Sequence, residues 1–298
     1  MKDPAQDNTT LVERKAALED VALRYVTAGT GPPVVLVHGL GNSVVSWRSN
    51  IRPLSQHFRV FALDLPGHGL STHYDGRYNL SFIGRFMGQF LDLLELSEVS
   101  LVGSSLGGLI SMKTALELPD RVRSLVLVGS AGLGRELALF LRILSLPWIG
   151  AVITKPTREN TAWSLRRLMQ DHSLITNELI DEVHRYRAVP GGTKTMLSIL
   201  RYGVDIRGQK DKVIMHDRLA ELGKPTLIVW GVQDRIIPVS HAYNALRRIK
   251  GSRLHIFEEC GHWPQMEKSE DFNTLVTRFL QEVYSGGSRE EATATNVP

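Results

Sequence analysis

Residues 98–110 read EVSLVGSSLGGLI, and this stretch constrains the fold more than any other part of the chain. An apolar run ends abruptly at Gly103, and helix-forming residues follow from Leu109 onwards. The pattern predicts a strand, a very tight turn and a helix, with Ser105 at the apex of the turn. Glycines are needed because the strand and the helix approach too closely to accommodate a Cβ atom. Ser105 would then lie at a helix N-terminus, where free N–H groups and the helix dipole favour negative charge.

Short apolar runs alternate with helical spacing along most of the chain, which predicts an α/β fold. Continuous apolar runs are typical of strands that are buried on both faces of a parallel sheet. We expect an N-terminal hairpin, buried strands and flanking helices. The hairpin covers 12–18 and 21–27; the strands cover 34–37, 58–63, 99–102, 124–128, 226–230 and 253–257; the helices cover 47–55, 80–94 and 271–284.

The alternation stops after Gly129, and residues 133–218 show helical periodicity alone. We therefore expect a core domain from 11–132 and 219–284, interrupted by a helical cap, or lid, over 133–218. Residues 1–10 are polar and are expected to be flexible. The composition of 285–298 is typical of a disordered tail. The predicted architecture is a mostly parallel central sheet with helices on both faces and a helical cap insertion.

Composition excludes several classes of protein. Charged residues make up 22% and apolar residues 43% of the 298, as in a globular protein with a sizeable core. The single cysteine, Cys260, rules out an intrachain disulfide framework, and the start of the chain has no apolar signal region, so we expect a cytoplasmic location. No nucleic-acid motif, metal-ligand spacing or phosphate loop is present. We therefore expect no cofactor, no bound metal and no nucleic-acid partner. The sequence does not indicate an oligomeric state.

Two polar residues follow the last two predicted strands and are candidates for catalysis. Asp234 lies just after the strand at 226–230, and His262 lies just after the strand at 253–257. In open α/β folds, ligands bind at this carboxyl edge of the sheet. The chain order Ser105, Asp234, His262 is the order of the α/β-hydrolase catalytic triad.

With these motifs in view, the chain resembles an α/β-hydrolase fold enzyme over residues 12–284. The resemblance rests on five pieces in the correct order: His38-Gly39 at a strand end, the turn DLPGHGLS at 64–71, the elbow at Ser105, then Asp234 and His262. Within this family, the chain resembles serine-nucleophile esterases and lipases that carry a helical cap. The chain is also similar to meta-cleavage-product C–C hydrolases.

The chemistry of the triad assigns a role to each residue. A serine hydroxyl needs a base within hydrogen-bond reach, so His262 would take the proton of Ser105 and later give it to the leaving group. Asp234 would hold the imidazole in the required tautomer and stabilise the imidazolium. The backbone N–H groups of Leu40 and Leu106 would form the oxyanion hole. By contrast, His68 and Asp64 are expected to brace the turn, and Cys260 to be a small core residue.

The resemblance implies an acyl-enzyme, because related dehalogenases and epoxide hydrolases use aspartate where this chain has Ser105. The favoured function is a carboxylesterase or lipase acting on lipophilic esters. Three alternatives remain open: a C–C hydrolase of the meta-cleavage type, an acyltransferase, and a non-enzymatic ligand receptor with a hydrolase fold.

The cap would lie over Ser105 and supply much of the substrate pocket. Candidate pocket residues are His38, Gly39, Phe140, Leu141, Leu144, Trp148, Trp163 and Ile236. The apolar residues among them would equally serve to pack the cap onto the core. The cap is also rich in basic residues beside an apolar Leu-Pro-Trp-Ile segment, which allows weak contact with an anionic interface but no stable membrane insertion. A solvated basic face is the simpler explanation of this charge.

Overall fold

The computed structural model describes residues 9–18, 21–73 and 78–294, with side chains up to residue 286. Its main sheet has eight strands in the order β1-β2-β4-β3-β5-β6-β9-β10. A separate two-stranded sheet pairs β7 with β8. The strands are β1 (Val12–Leu18), β2 (Val21–Ala28), β3 (Pro33–Val37), β4 (Arg59–Leu63), β5 (Val99–Ser104), β6 (Val122–Val128), β7 (Val204–Asp205), β8 (Gly208–Gln209), β9 (Thr226–Gly231) and β10 (Arg253–Phe257).

The two N-terminal strands are antiparallel and the rest of the main sheet is parallel. β1 pairs with β2, and β2 pairs antiparallel with β4, whereas β4, β3, β5, β6, β9 and β10 run in the same direction. Successive strands of the parallel part need helical crossovers, and the sequence supplies a helix between most of them. The carboxyl ends of β3, β5, β9 and β10 consequently share one edge of the sheet.

Helices cover both faces of this sheet, as predicted. The α-helices of the described residues, of which α4 to α8 belong to the segment at 133–218, are α1 (Ile51–Ser55), α2 (Leu80–Leu93), α3 (Leu106–Glu117), α4 (Leu139–Leu144), α5 (Ile149–Ile153), α6 (Arg158–Leu168), α7 (Asn177–Arg187), α8 (Gly192–Gly203), α9 (Ser240–Arg248), α10 (Pro264–Glu267) and α11 (Ser269–Ala294). In the described part of the chain, none of them is long and apolar enough to cross a bilayer.

The apolar core has two layers, one on each face of the sheet. Along β3, Val35 and Val37 pack with α2, α3 and α9, while Val34 and Leu36 pack with α1 and α11. This alternation follows from the two-residue period of a strand. It explains why the sequence shows an uninterrupted apolar run here, since both faces of the strand are buried.

Residues 133–218, called the cap from here on, lie between β6 and β9 and contain α4 to α8. The prediction of helices alone was wrong at one place, because β7 and β8 form a short hairpin inside the cap. Asp205 accepts the N–H of Arg207 at 2.8 Å, and Gly208 has φ of +125°. These two local features favour a turn rather than a helix.

The sequence predicts a flexible N-terminus and a disordered C-terminal tail. Residues 1–8 of the predicted flexible N-terminus lie outside the described residues. The last helix does not end at Tyr284 but continues to Ala294, so residues 285–294 are helical rather than disordered. Arginine, glutamate and alanine near this end are good helix formers, which accounts for the extension. Residues 295–298 lie outside the described part.

Candidate active site

Ser105 stands at the turn between β5 and α3 in a strained backbone conformation. Its φ and ψ are 55° and −115°, a region that costs about 1–3 kcal/mol for a residue with a side chain. The close packing around it requires glycine. A Cβ on Gly107 would lie 2.0 Å from the carbonyl oxygen of Val37, and one on Gly103 would lie 2.3 Å from that of Gly107. The turn predicted from the glycine pattern is therefore present.

Two backbone N–H groups next to Ser105 are available for an oxyanion. Leu106 is the first residue of α3, so no carbonyl within the helix can accept its N–H. The loop after β3 lies against Ser105, since a Cβ on Gly39 would be 3.0 Å from the Cβ of Ser105. The hydrogen bonds among the described residues likewise give the Leu40 N–H no acceptor. Both N–H groups keep the role proposed for them from the sequence.

His262 and Asp234 form a buried hydrogen-bonded pair at the same edge of the sheet. The Nδ1 of His262 lies 2.7 Å from Oδ2 of Asp234, and their side chains are 2% and 0% exposed. The second oxygen, Oδ1 of Asp234, accepts the N–H groups of Ile236 and Ile237 at 2.8 and 3.0 Å. A carboxylate held in this way accepts the proton on Nδ1, which leaves Nε2 as the basic nitrogen.

The loops that carry the pair are joined by hydrogen bonds that the sequence did not predict. The N–H of Gln233 donates to the carbonyl of Cys260, and the N–H of Cys260 donates to Oε1 of Gln233, both at 2.9 Å. Cys260 itself is buried, and burial raises the pKa of its thiol. It is a core residue, as expected. The reciprocal bonds fix the spacing between the Asp234 and His262 loops.

Two buried histidines brace the loops around the elbow. Nε2 of His38 accepts the N–H of Leu65 at 3.0 Å, so its Nδ1 carries the proton and donates to the carbonyl of Gly39 at 2.8 Å. Nδ1 of His68 lies 3.1 Å from the carbonyl of Pro66. Burial lowers the pKa of His38 to about 4 and that of His68 to about 3, so both rings are neutral at pH 7.

Asp64 holds the turn that follows β4. Its carboxylate is buried and accepts the N–H of Val44 at 2.7 Å and that of Leu70 at 2.9 Å. Arg24 lies 3.2 Å away and is the only cation paired with this carboxylate among the described residues. Burial raises the pKa of Asp64 despite these partners. The residue is structural, as the sequence predicted.

A cavity of about 380 Å³ lies between the sheet edge and the cap, and both Ser105 and His262 line it. Leu40 of the predicted oxyanion hole lines it too, as do six of the eight predicted pocket residues: Gly39, Phe140, Leu141, Leu144, Trp163 and Ile236. Phe140 and Leu141 also pack against the apolar core of the sheet, so they serve both of the expected purposes, whereas Leu144 packs inside the cap.

Two of the predicted pocket residues do not line this cavity. The ring of His38 is fully buried beneath its loop, because both nitrogens are used to hold the backbone. Trp148 is 86% exposed at the start of α5 and faces away from the cavity. Periodicity could place Trp148 in the cap but could not say which surface of the cap it would occupy.

Arg187 is a functional candidate that the sequence analysis missed. It lines the cavity, and burial lowers the pKa of its guanidinium to about 10. Nη1 donates to the hydroxyl of Ser164, and no carboxylate of the described residues pairs with it. Arg187 is half-buried, and a partly desolvated cation without a counter-ion is costly, so its presence in a cavity favours an anionic ligand. The cap contains many arginines, and the sequence has no signal that distinguishes this one.

Glu267 joins the cap to the loop that carries His262. Its Oε2 accepts the N–H groups of Gln170 and Asp171 at 2.6 and 2.9 Å, and its Oε1 accepts that of Gly261 at 2.9 Å. The N–H of His262 also donates to the carbonyl of Leu168 at 2.6 Å. The C-terminal end of α6 is thereby fixed next to His262. Burial raises the pKa of Glu267.

The residues around the cavity are suited to nucleophilic chemistry rather than to metal ligation. In the ranges that the structure describes, no three His, Cys, Asp or Glu side chains lie together as a metal site requires. The site instead combines a serine at a helix N-terminus, a buried His–Asp pair and free backbone N–H groups. These are the parts needed for acyl transfer.

Two relatives are similar in sequence to most of this chain. 2-Hydroxy-6-oxo-2,4-heptadienoate hydrolase of Pseudomonas putida is 34% identical over 260 residues, which cover 85% of this chain and 90% of that protein. The dihydrolipoyllysine-residue acetyltransferase component of the acetoin cleaving system of Cupriavidus necator is 31% identical, covering 93% of this chain and 71% of that protein.

Solved structures agree with the sequence relatives. A meta-cleavage product hydrolase from Pseudomonas fluorescens superposes with a TM-score of 0.77 at 28% identity, covering 90% of this chain and 97% of the other. A membrane phospholipase A described as a bacterial virulence factor superposes with a TM-score of 0.80 at 25% identity, covering 93% and 87%. The sequence profile of the α/β hydrolase fold matches residues 32–188 and 192–269. The chain belongs to the α/β hydrolase fold family.

Proposed function

We propose that this protein is a serine hydrolase that cleaves an anionic carbonyl compound through an acyl-enzyme on Ser105. The observation that carries the proposal is the common cavity of Ser105 and His262, with His262 hydrogen-bonded to buried Asp234. Ser105 attacks the carbonyl carbon while His262 takes its proton. The N–H groups of Leu40 and Leu106 stabilise the oxyanion. Each such donor typically contributes about 3–4 kcal/mol of transition-state stabilisation.

The position of Arg187 favours the inference that the substrate carries a carboxylate. Its half-buried guanidinium lines the cavity wall and has no carboxylate partner among the described residues. A substrate carboxylate would supply the missing counter-charge and would form charge-assisted hydrogen bonds with it. A neutral ester would leave this cation uncompensated. The sequence analysis favoured lipophilic esters, and Arg187 shifts the preference towards an anionic substrate.

The first candidate reaction is C–C bond hydrolysis of an oxo-dienoate, the reaction named for the relative from Pseudomonas putida. In the oxo form of such a substrate, Ser105 adds to the ketone and the bond between the ketone carbon and the dienoate chain breaks. The released electron pair is delocalised along the conjugated chain onto the oxygen at C2, and that oxygen takes up the proton to give the enol product. Water then hydrolyses the acyl-Ser105 ester. For 2-hydroxy-6-oxo-2,4-heptadienoate the products are acetate and 2-hydroxypenta-2,4-dienoate, with one water consumed.

Ester hydrolysis is the second candidate, because the same acyl-enzyme forms from a carboxylic ester. The apolar wall made by Phe140, Leu141 and Leu144 favours it. This wall would accept an aliphatic acyl chain by burying it from water. An ester that carries a distant carboxylate would satisfy both this wall and Arg187.

The test compares the two substrate classes with one protein preparation. Turnover is followed with 2-hydroxy-6-oxo-2,4-heptadienoate, by loss of its dienolate absorbance, and with p-nitrophenyl esters of increasing chain length. We expect the dienoate to be cleaved, with kcat reduced by about 10⁴-fold or more in Ser105→Ala. Ser104→Ala is the matched control, since the neighbouring hydroxyl is buried beneath the elbow.

Each other outcome has a definite meaning. Turnover of esters but not of the dienoate would reject C–C hydrolysis and retain the ester reaction. No turnover of either class, together with covalent labelling of Ser105 by a fluorophosphonate, would reject simple hydrolysis. It would favour acyl transfer to an acceptor other than water, or a ligand receptor.

A further inference from the structure

A second cavity, of about 350 Å³, lies beside the first and is lined by four arginines. Arg135 and Arg142 come from the start of the cap, Arg207 from the turn of the β7–β8 hairpin, and Arg235 from the loop after β9. We call this cavity the arginine cleft. Ile236 borders both the arginine cleft and the active-site cavity, so the two are adjacent.

Three of the four guanidinium groups have no carboxylate partner among the described residues. Nε of Arg142 donates to the carbonyl of Ile206 at 2.7 Å, and Nη2 of Arg235 donates to the side-chain oxygen of Gln170 at 2.9 Å. These neutral acceptors orient the guanidinium groups without neutralising them. Arg207 has no side-chain partner in the described part of the chain. Only Arg135 is paired with an acid, the exposed Asp211.

The two acids in the walls of the arginine cleft are already engaged elsewhere. Glu136 lies 2.9 Å from Nε2 of the buried His241. Asp234 is occupied by His262 and by two backbone N–H groups, as described above. With Glu136, Asp234 and the Asp211 partner of Arg135 all counted, four arginines still face three carboxylates, so the arginine cleft carries excess positive charge.

The frame that holds the arginines is cross-linked. The N–H of Gln209 in β8 donates to the carbonyl of Arg135 at 2.8 Å. The side chain of Gln209 accepts the N–H of Gly132 and donates to the carbonyl of Gly134, both at 2.8 Å. The hairpin that carries Arg207 is thus fixed to the segment that carries Arg135. A ligand would meet an arrangement with little backbone entropy left to lose.

We propose that the arginine cleft binds a polyphosphate group, either free or as part of a larger organic molecule. Guanidinium groups match phosphate oxygens in planar, paired hydrogen bonds, and a diphosphate presents enough charge to contact several of them at once. The volume exceeds what a single monoanion needs. A merely solvated basic surface would attract all anions weakly and without saturation.

The test is calorimetric titration of the intact protein with pyrophosphate at physiological salt, with sulfate as the comparison anion. We expect saturable binding of pyrophosphate with a Kd of about 1 mM or lower, and at least about tenfold weaker binding of sulfate. Arg142→Gln and Arg207→Gln should each weaken pyrophosphate binding about tenfold. Arg247→Gln should leave it unchanged, because Arg247 lies on α9 and does not line the arginine cleft.

A further variant separates this site from the active-site cavity. Arg187→Met should not alter pyrophosphate binding if the arginine cleft is the site. Loss of binding in Arg187→Met, absence of saturation, or equal weakening by Arg247→Gln would each overturn the proposal. Because the titration needs no turnover, its result is independent of the proposed hydrolase function.

Discussion

The core and the cap differ in how completely their apolar side chains are buried. The strands β3, β5 and β9 are buried along nearly their whole length, and the loops at their ends are held by buried hydrogen bonds. The cap instead exposes large apolar side chains, with Leu139 60%, Val152 69% and Trp148 86% exposed. Reactive groups come from core loops, whereas Arg187 and much of the cavity wall come from the cap. Under the proposed function, the core would determine the reaction and the cap would determine which substrates are accepted.

The largest effect is expected where the core is altered at the hydrogen-bonded pair of His262 and Asp234, to which we assign the catalytic role. Asp234→Asn keeps the size of the side chain but removes the charge that holds His262 in the required tautomer. We expect kcat to fall by about 10⁴-fold with the fold retained. The measurement is the rate of Ser105 labelling by a fluorophosphonate together with substrate turnover. A loss of tenfold or less would show that the pair is structural.

The core should also show a strong dependence of stability on pH. His38 and His68 have an ordinary pKa of 6.5, which burial lowers to about 4 and about 3 in the fold. At a pH between the ordinary pKa and the lowered pKa, the histidines bind protons in the unfolded chain but not in the folded chain. The free energy of unfolding therefore falls as pH falls below 6.5. From pH 7 to pH 5 each histidine should contribute about 2 kcal/mol to this loss.

A variant separates this contribution from other acid effects. His68→Asn keeps a donor for the carbonyl of Pro66 but cannot titrate, so denaturant unfolding should show a loss that is smaller by about 2 kcal/mol. His57→Asn removes an exposed histidine and should behave as the wild type does. Equal losses in all three proteins would contradict the assignment.

Recognition by the cap is tested at Arg187. Arg187→Met keeps a long apolar side chain but removes the cation, so kcat/KM for an anionic dienoate should fall about 100-fold, mainly through KM. Turnover of p-nitrophenyl acetate, which has no carboxylate, should change by no more than about twofold. An equal loss with both substrates would mean that Arg187 supports the fold of the cap rather than the substrate.

The smallest effect is expected at the junction of the two regions. Glu267→Gln replaces one acceptor oxygen by an NH₂ group that faces backbone N–H donors, so the free energy of unfolding should fall by about 1–3 kcal/mol. Denaturant unfolding at pH 7 measures it. The matched control, Glu270→Gln, changes an exposed residue on the next helix. If both variants unfold alike, Glu267 does not hold the cap to the core.

Local sequence was sufficient to predict the sheet and the elbow. Apolar runs identify strands that are buried on both faces, and the glycines around Ser105 are required by contacts within a few residues of it. The placement of Asp234 and His262 followed from a second local rule, that ligands bind where parallel strands end. The structure shows these two side chains 2.7 Å apart.

The residues that were missed act through contacts between distant parts of the chain. Glu267 accepts the N–H of Gln170, almost a hundred positions earlier, and periodicity cannot predict such a bond between cap and core. Arg187 is distinguished from other arginines by its place in the cavity wall without a carboxylate partner among the described residues, which is a property of the folded cap. Trp148 has the character of a pocket residue but lies at the surface. The residue type gives the chemistry of a side chain, whereas its role depends on its neighbours in the fold.

The burial of the single thiol has a practical consequence for spectroscopy. Because Cys260 is the only cysteine and its thiol is inaccessible with a raised pKa, it should not react with maleimide reagents in the native protein. A cysteine introduced at an exposed cap position such as Val152 would then be the sole labelling site. A fluorophore or spin label attached there would report whether the cap changes its distance from the core when a ligand enters.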